Sequence, residues 1–160
     1  MNDGINHGCS TRLLDVFVAK GVITPTNRRV LERFMATWDV SAYHGLLLTK
    51  LLAEEELADS LASALKLPRR YHFLDAQLDE STLTVLDFSR ARAWECLPIR
   101  AADGGLVVVF ADASRIDRIS EIKQGLKREF TLAVAALSAT LKAIDELYPL
   151  AAQLPSLYGR

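Results

Sequence analysis

Residues 102–110, Ala-Asp-Gly-Gly-Leu-Val-Val-Val-Phe, predict a tight turn followed by a buried β-strand. The aspartate and the two glycines tolerate the positive φ angles that a short hairpin turn requires. The five residues after them are apolar without interruption and rich in β-branched side chains, which is typical of a strand covered on both faces. The sequence therefore predicts a central strand at residues 106–110, joined by a hairpin to a strand at residues 95–100.

Working outward from this hairpin, the C-terminal half alternates short strands and helices. We expect one or two short helices within residues 79–92. A further helix is predicted with Ser114 as its N-cap and Gly125 near its end, bearing Ile116, Ile119 and Ile122 at three-residue steps. Two further strands are predicted at residues 71–74 and 130–135, and a last helix at 138–148. This order of elements predicts an α/β unit with a small mixed sheet.

The N-terminal half carries helix signals only. Thr24-Pro25 is a strong helix start, because threonine caps the first turn and proline fits the first helical position. Gly21 is placed to end the preceding helix. The helix after Thr24 is expected to turn Val30, Leu31 and Phe34 inward.

A weak internal repeat relates the two parts of this helical half. Residues 20–25 align with residues 49–54, and each segment contains a helix end, two aliphatic residues and a helix start. The offset is 29 residues, the separation of Gly21 and Lys50. Periods of this size are typical of helical hairpins that cannot bury their apolar faces alone. The sequence therefore predicts two tandem hairpins.

The predicted fold class is α+β, with a four-helix N-terminal subdomain packed on a C-terminal α/β subdomain. We expect tight packing between them, since neither has a large core of its own. The predicted organisation is a flexible leader at 1–10, the helical subdomain at 11–67, the α/β subdomain at 68–148 and a tail at 149–160.

Composition excludes several classes of protein. The net charge is −1, which disfavours binding to a nucleic acid polymer. Two cysteines, Cys9 and Cys96, predict reduced thiols in a cytoplasmic protein. No apolar run reaches the roughly 18 residues of a membrane span, and the N-terminus lacks the pattern of a signal peptide. We therefore expect a cytoplasmic protein without direct membrane insertion.

The search for chemistry finds no catalytic motif. The Walker A, dinucleotide-binding, nucleophile-elbow and zinc-protease patterns are all missing from the sequence. The histidines at positions 7, 44 and 72 have no ligand spacing to each other or to a cysteine. Glu54, Glu55 and Glu56 favour a helix N-terminus over a metal site. The prediction is a non-enzymatic domain with no catalytic residue, metal or obligate cofactor.

One predicted surface is a candidate interface. Arg28, Arg29 and Arg33 form a basic cluster on the second predicted helix, and they either face solvent or contact an acidic partner or a phosphate. Trp38 and Tyr43 are candidate aromatic anchors of an interface, with ordinary core packing as the alternative.

The order of these segments resembles the N-terminal domain of type II secretion ATPases, related domains of type IV pilus assembly ATPases, and the MshEN domain. The resemblance rests on residues 12–25, on the second copy ending at 57–68, on residues 97–112 and on the last helix ending at Tyr148. It implies an accessory domain that docks to the cytoplasmic part of a membrane platform protein, or to a cognate ATPase or catalytic domain. Such docking would recruit the chain to the inner membrane.

In the MshEN branch, the resemblance implies cyclic di-GMP binding through two tandem motifs of the form R-L-G-x-x-L-x-x-x-G followed by L-x-x-x-L-x-x-Q. Several letters are altered here: Leu14 and Tyr43 replace the first glycine of each copy, and Ser41 replaces the second arginine. The leading prediction is therefore docking. The alternative is a cyclic di-GMP sensor, appended to an ATPase or a glycosyltransferase. Its retained motif residues are Arg12, Leu13, Gly21, Leu46, Leu57 and Leu61.

Overall fold

The computed structural model describes residues 12–149, and its architecture is α+β. A helical N-terminal part covers a small sheet in the C-terminal part, as predicted. The whole predicted leader and all but the first residue of the predicted tail lie outside the described residues, which leave out 1–11 and 150–160. The helices and strands are α1 (residues 12–19), α2 (Pro25–Trp38), α3 (Ala42–Leu48), α4 (Glu54–Leu65), α5 (Phe88–Trp94), β1 (Cys96–Arg100), β2 (Leu106–Phe110), α6 (Ile116–Leu126), β3 (Thr131–Val134) and α7 (Leu137–Leu147), with a 3₁₀ turn at Glu80–Thr82.

The predicted apolar strand lies at the centre of the sheet. The strand order is β1-β2-β3, with β1 antiparallel and β3 parallel to β2. In the hairpin between β1 and β2, Gly104 has a φ of 84°, and the Asp103 carboxylate accepts a hydrogen bond from the Gly105 amide at 2.8 Å. Gly104 therefore adopts the positive φ that the sequence predicted for this hairpin turn.

Both faces of the sheet are covered. On one face, Val108 and Phe110 join the core of the helical hairpins, which includes Phe17 and Leu46. On the other face, Leu97, Ile99 and Val109 pack with Ile144 of α7 and with Tyr148 beyond its end. The helical part therefore shares its core with the sheet, and removing apolar volume from either part destabilises both.

The 29-residue repeat is present in the backbone. Gly21 and Lys50 both adopt a left-handed conformation, with φ of 72° and 58°. Thr24 and Ala53 both hold the N-cap position of the following helix. Three hydrogen bonds recur at the same offset: Lys20 N–Val16 O and Thr49 N–Gly45 O, both 3.0 Å; Gly21 N–Val18 O at 3.0 Å and Lys50 N–Leu47 O at 3.1 Å; and Ile23 N–Phe17 O and Leu52 N–Leu46 O, both 3.4 Å.

This pair of turns gives a matched stability prediction. Gly21→Ala should lower the free energy of unfolding by about 1 kcal/mol, because a Cβ is strained at positive φ. No steric clash contributes, since no heavy atom lies within 4 Å of that Cβ position. Lys50→Gly should raise the free energy of unfolding by about 0.5–1 kcal/mol, because it relieves the same strain. Urea denaturation checks both; two effects of the same sign would contradict the shared geometry.

The predicted strand at residues 71–74 is wrong. This segment crosses the sheet: Arg69 bridges to Val134 of β3 at one edge, and Leu78 bridges to Ile99 of β1 at the other. Between these bridges, Tyr71 and Leu74 are exposed. The apolar residue types suggested a strand, but only the two ends of the segment reach a strand with free hydrogen-bonding groups.

The predicted start of α6 also needs correction. Arg115 holds the N-cap position, and the Ser114 hydroxyl instead donates to the buried carboxylate of Asp112. Ile116 points outward and is 62% exposed. Gly125 lies within the helix, where a Cβ would come within 2.7 Å of Val85. Gly125 therefore lies near the end of α6, as predicted, and its lack of a side chain permits this close packing.

Candidate functional site

Most apolar residues of the predicted ligand motifs are core residues. Leu46, Leu57 and Leu61 are completely buried, and Leu13 is nearly so. All four belong to the cluster that joins the helical hairpins to the sheet. The structure therefore brings these residues together as packing contacts, and of the four only Leu13 also lines the groove beside Arg12.

The two positions where the motif has its first glycine are filled. Leu14 and Tyr43, which are equivalent in the repeat, are each 1% exposed and belong to the same core. The expectation that Tyr43 is an exposed anchor is therefore wrong. Its hydroxyl is buried and has no hydrogen-bond partner among the described residues, and burial raises the pKa of Tyr43. Large side chains occupy the space that a glycine would leave for a ligand.

An ion-pair network occupies the first hairpin at another altered part of the motif. Arg28 and Glu32 replace two motif leucines, and their side chains are joined by a salt bridge of 3.0 Å between Nε and Oε1. Arg28 also contacts the Asp15 carboxylate of α1. The hydrogen bond to Asp15 is the main cause that raises the pKa of Arg28, and the hydrogen bond to Glu32 is the second. The predicted interface residue Arg28 is thus engaged within the domain and links α1 to α2.

Arg12 is exposed at the edge of a shallow groove between α1, the end of α4 and the start of α6. The groove has a volume of about 190 Å³, and its lining includes Val16, Leu65 and Ile116. Ligand pockets for drug-sized molecules measure roughly 300–1,000 Å³. The equivalent of Arg12 in the second hairpin is Ser41, whose hydroxyl caps α3 by accepting from the His44 amide at 3.2 Å. A second guanidinium is therefore missing from this pair of positions.

A polar contact fastens the second hairpin to the sheet. His44 Nε2 lies 2.8 Å from the Glu95 carboxylate, next to the start of β1, and this hydrogen bond raises the pKa of His44. Asp112 and Arg118 also face the imidazole, and burial raises the pKa of Asp112. The Ser41 hydroxyl lies 3.0 Å from His44 Nδ1. Each of these groups holds a structural partner, so the cluster stabilises the junction between the halves.

The His44–Glu95 pair predicts a pH dependence of stability. Because the folded pKa of His44 is raised, its contribution is complete below its ordinary pKa of 6.5 and is lost as the pH rises through the folded value. For this partly exposed pair we expect at most about 1 kcal/mol. His44→Gln should remove this fall in stability, and His72→Gln, at an exposed position, should leave it unchanged. Urea denaturation at several pH values checks this; equal profiles for wild type and His44→Gln would contradict it.

The outward face of α2 is the most exposed apolar surface among the predicted site elements. Val30 is 55% and Trp38 is 66% exposed, and Phe34 between them is partly buried. The predicted inward position of Leu31 is confirmed, and that of Val30 is wrong, because Leu31 and Met35 form the buried stripe. Arg29 and Arg33 lie exposed beside these residues. The sequence analysis did not include Val30 and Phe34 in the interface, although their four-residue spacing to Trp38 was a visible signal.

Other chemistry is sparse in the described part of the chain. Between residues 12 and 149, no group of three His, Cys, Asp or Glu side chains is placed to hold a metal ion. Burial raises the pKa of Cys96 to about 12, so its thiol is protonated and unreactive. No helix within the same range is long and apolar enough to span a membrane.

Comparison with known proteins agrees with this architecture. The MshEN domain model matches residues 54–154, more than half of the chain. A structure of MshE with cyclic di-GMP has a TM-score of 0.67 and 21% identity, and the match covers 85% of this chain and 98% of that one. The N-terminal domain of XpsE has a TM-score of 0.67 and 18% identity, with coverages of 88% and 96%.

A second crystal form of the XpsE domain has a TM-score of 0.62 and 19% identity, with coverages of 86% and 95%. A search of curated proteins gave no match. At these identities the structural likeness shows the fold alone, and the family model covers α4 and the whole α/β part. The predicted resemblance is confirmed, and this chain belongs to the MshEN domain family.

Proposed function

We propose that this chain is a non-catalytic docking domain of the secretion-ATPase N-terminal type. It binds the cytoplasmic part of a membrane-associated secretion or pilus platform, or a cognate ATPase or catalytic domain. Through that partner it is held at the cytoplasmic side of the inner membrane. The family membership supports an accessory role, and the side chains of the two hairpins favour docking over ligand binding.

The observation that carries the proposal is the filling of the motif positions. Leu14 and Tyr43 are buried where the family motif has glycine, and Arg28 is paired with Glu32 and Asp15. A nucleotide would have to displace core side chains, and removing one large apolar side chain from a packed core costs about 2–5 kcal/mol. The hairpins therefore keep the family fold with a packed interior. What they offer a partner is their outer surface.

The test is calorimetric titration of the full chain with the cytoplasmic part of the platform protein from the same host. We expect saturable binding in the micromolar range or tighter, at the affinity of a typical transient interface. The control is a heat-denatured sample of the same chain, which should give no saturable signal. Absence of binding to both the platform part and the cognate ATPase or catalytic domain would contradict the proposal.

The second candidate is a cyclic di-GMP sensor domain. Arg12 favours it, because this motif arginine is retained and exposed beside the groove at α1. The similarity to MshE, which was solved with cyclic di-GMP, also favours it. An arginine side chain can stack on a base and bind a phosphate, and Arg12→Ala would then abolish nucleotide binding.

A further inference from the structure

We propose that the outward face of α2 is the docking surface, and that it binds an acidic polypeptide surface with aliphatic side chains between its carboxylates. This inference rests on the docking function proposed above and specifies its surface and the chemistry of its partner. The surface, called here the α2 outer stripe, consists of Val30, Phe34, Trp38, Arg29 and Arg33.

Helix α2 carries two apolar stripes, one buried and one exposed. One stripe, Leu31 and Met35, packs against α3, where a Cβ on Gly45 would come within 2.8 Å of the Leu31 side chain. This close approach anchors α2 on its inner side. Val30 and Trp38 lie beside this stripe and remain 55% and 66% exposed. A second apolar stripe at four-residue spacing on an anchored helix is typical of a helix that meets two neighbours.

The kind of side chain in the exposed stripe also supports the proposal. The Phe34 and Trp38 rings lie 6.3 Å apart in a tilted arrangement and form a continuous aromatic surface. Tryptophan, together with arginine, is among the residues that contribute most binding energy at protein interfaces. Isolated exposed apolar residues are common, but a row of three over two helical turns marks an interaction surface. The rigid helix keeps the row in register for a partner.

The charge beside the stripe supports the proposal as well. Arg29 and Arg33 precede Val30 and Phe34 by one residue, so the two cations form a row beside the apolar stripe. Both are exposed, and no ion pair to either is present among residues 12–149. Arg28 on the same helix, by contrast, is held by Asp15 and Glu32. Two guanidiniums without an ion pair in the described part of the chain, placed beside an apolar row, complement carboxylates that flank aliphatic side chains.

The experiment compares variants in the titration with the cytoplasmic part of the platform protein. Trp38→Ala should weaken binding by more than about tenfold, and Arg29→Glu with Arg33→Glu by a similar factor. The double reversal should also reduce the salt dependence of the affinity. The matched control is Lys123→Glu on α6 with Lys127→Glu at its C-cap, which makes the same charge change away from α2. It should alter the affinity less than about twofold.

These positions are exposed, so the variants should unfold at the wild-type urea concentration, which circular dichroism checks. Wild-type affinity in both α2 variants would overturn this inference and leave the docking function standing. Failure of the wild-type chain to bind would contradict the docking function and this inference together. Binding to vesicles of anionic phospholipid that depends on Arg29 and Trp38, without polypeptide binding, would assign the stripe to a lipid surface and overturn the proposal.

Discussion

Replacing Leu46 by alanine should lower the free energy of unfolding by about 2–5 kcal/mol, the usual effect of deleting a buried leucine side chain. Leu46 is completely buried in the core that joins the second hairpin to the sheet. The loss combines the transfer energy of the deleted carbons with the cavity that they leave. Because Leu46 is a retained motif residue, the measurement also separates a packing role from a ligand-lining role.

The matched control lies two residues further along α3. Leu48 is 60% exposed, and Leu48→Ala should change the free energy of unfolding by less than about 0.5 kcal/mol. Urea denaturation followed by circular dichroism measures both variants. Equal effects of the two substitutions would show that the hairpin core is not organised around Leu46.

The second large effect is a difference between two tyrosines. Tyr43→Phe should raise the free energy of unfolding by about 1–3 kcal/mol, because it removes a buried hydroxyl that lacks a partner. Tyr148→Phe should lower it by about 1–2 kcal/mol. The Tyr148 hydroxyl donates to the Leu86 carbonyl at 2.7 Å, and the substitution leaves that buried oxygen unpaired.

The opposite signs make this comparison informative, since both substitutions remove the same atom from a buried ring. Thermal and urea denaturation should rank the three proteins as Tyr43→Phe, wild type, Tyr148→Phe. Destabilisation by Tyr43→Phe would mean that this hydroxyl has a partner in solution. That result would contradict the conclusion that packed side chains fill the positions where the family motif has glycine.

The elements that the sequence predicts well are those set by local chemistry. The central strand, the hairpin turn and the Thr24 cap depend on a few neighbouring residues, and all three are present. The repeat was also visible, from its helix ends, aliphatic residues and helix starts at a 29-residue offset. Gly21 and Lys50 share its backbone turn although their side chains differ. Lysine at positive φ hides this equivalence from a search for glycines.

The errors come from tertiary competition. Two apolar stripes compete on α2, and pattern alone does not tell which faces the core; close approach at Gly45 selects Leu31 and Met35. Ser114 has the residue type of an N-cap, but a neighbouring buried carboxylate binds its hydroxyl. Residues 71–74 have strand-forming side chains without an adjacent edge to pair with.

The candidate site shows the same division. Sequence alone identified Arg29, Arg33 and Trp38, which are exposed on one helix. It also included Arg28, which pairs with Asp15, and Tyr43, which is buried. The contact of Arg28 with Asp15 of α1 and the packing of Tyr43 in the shared core are tertiary, and no pattern within α2 or α3 reports them.

The most direct measurement of the central claim, that packed side chains have closed the family's nucleotide site, is titration of the full chain with cyclic di-GMP. Isothermal calorimetry should show no saturable binding at micromolar concentrations, and the amide NMR signals of Gly21 and Gly45 should not shift. Micromolar or tighter binding that Arg12→Ala abolishes would contradict the claim and make this domain a nucleotide sensor.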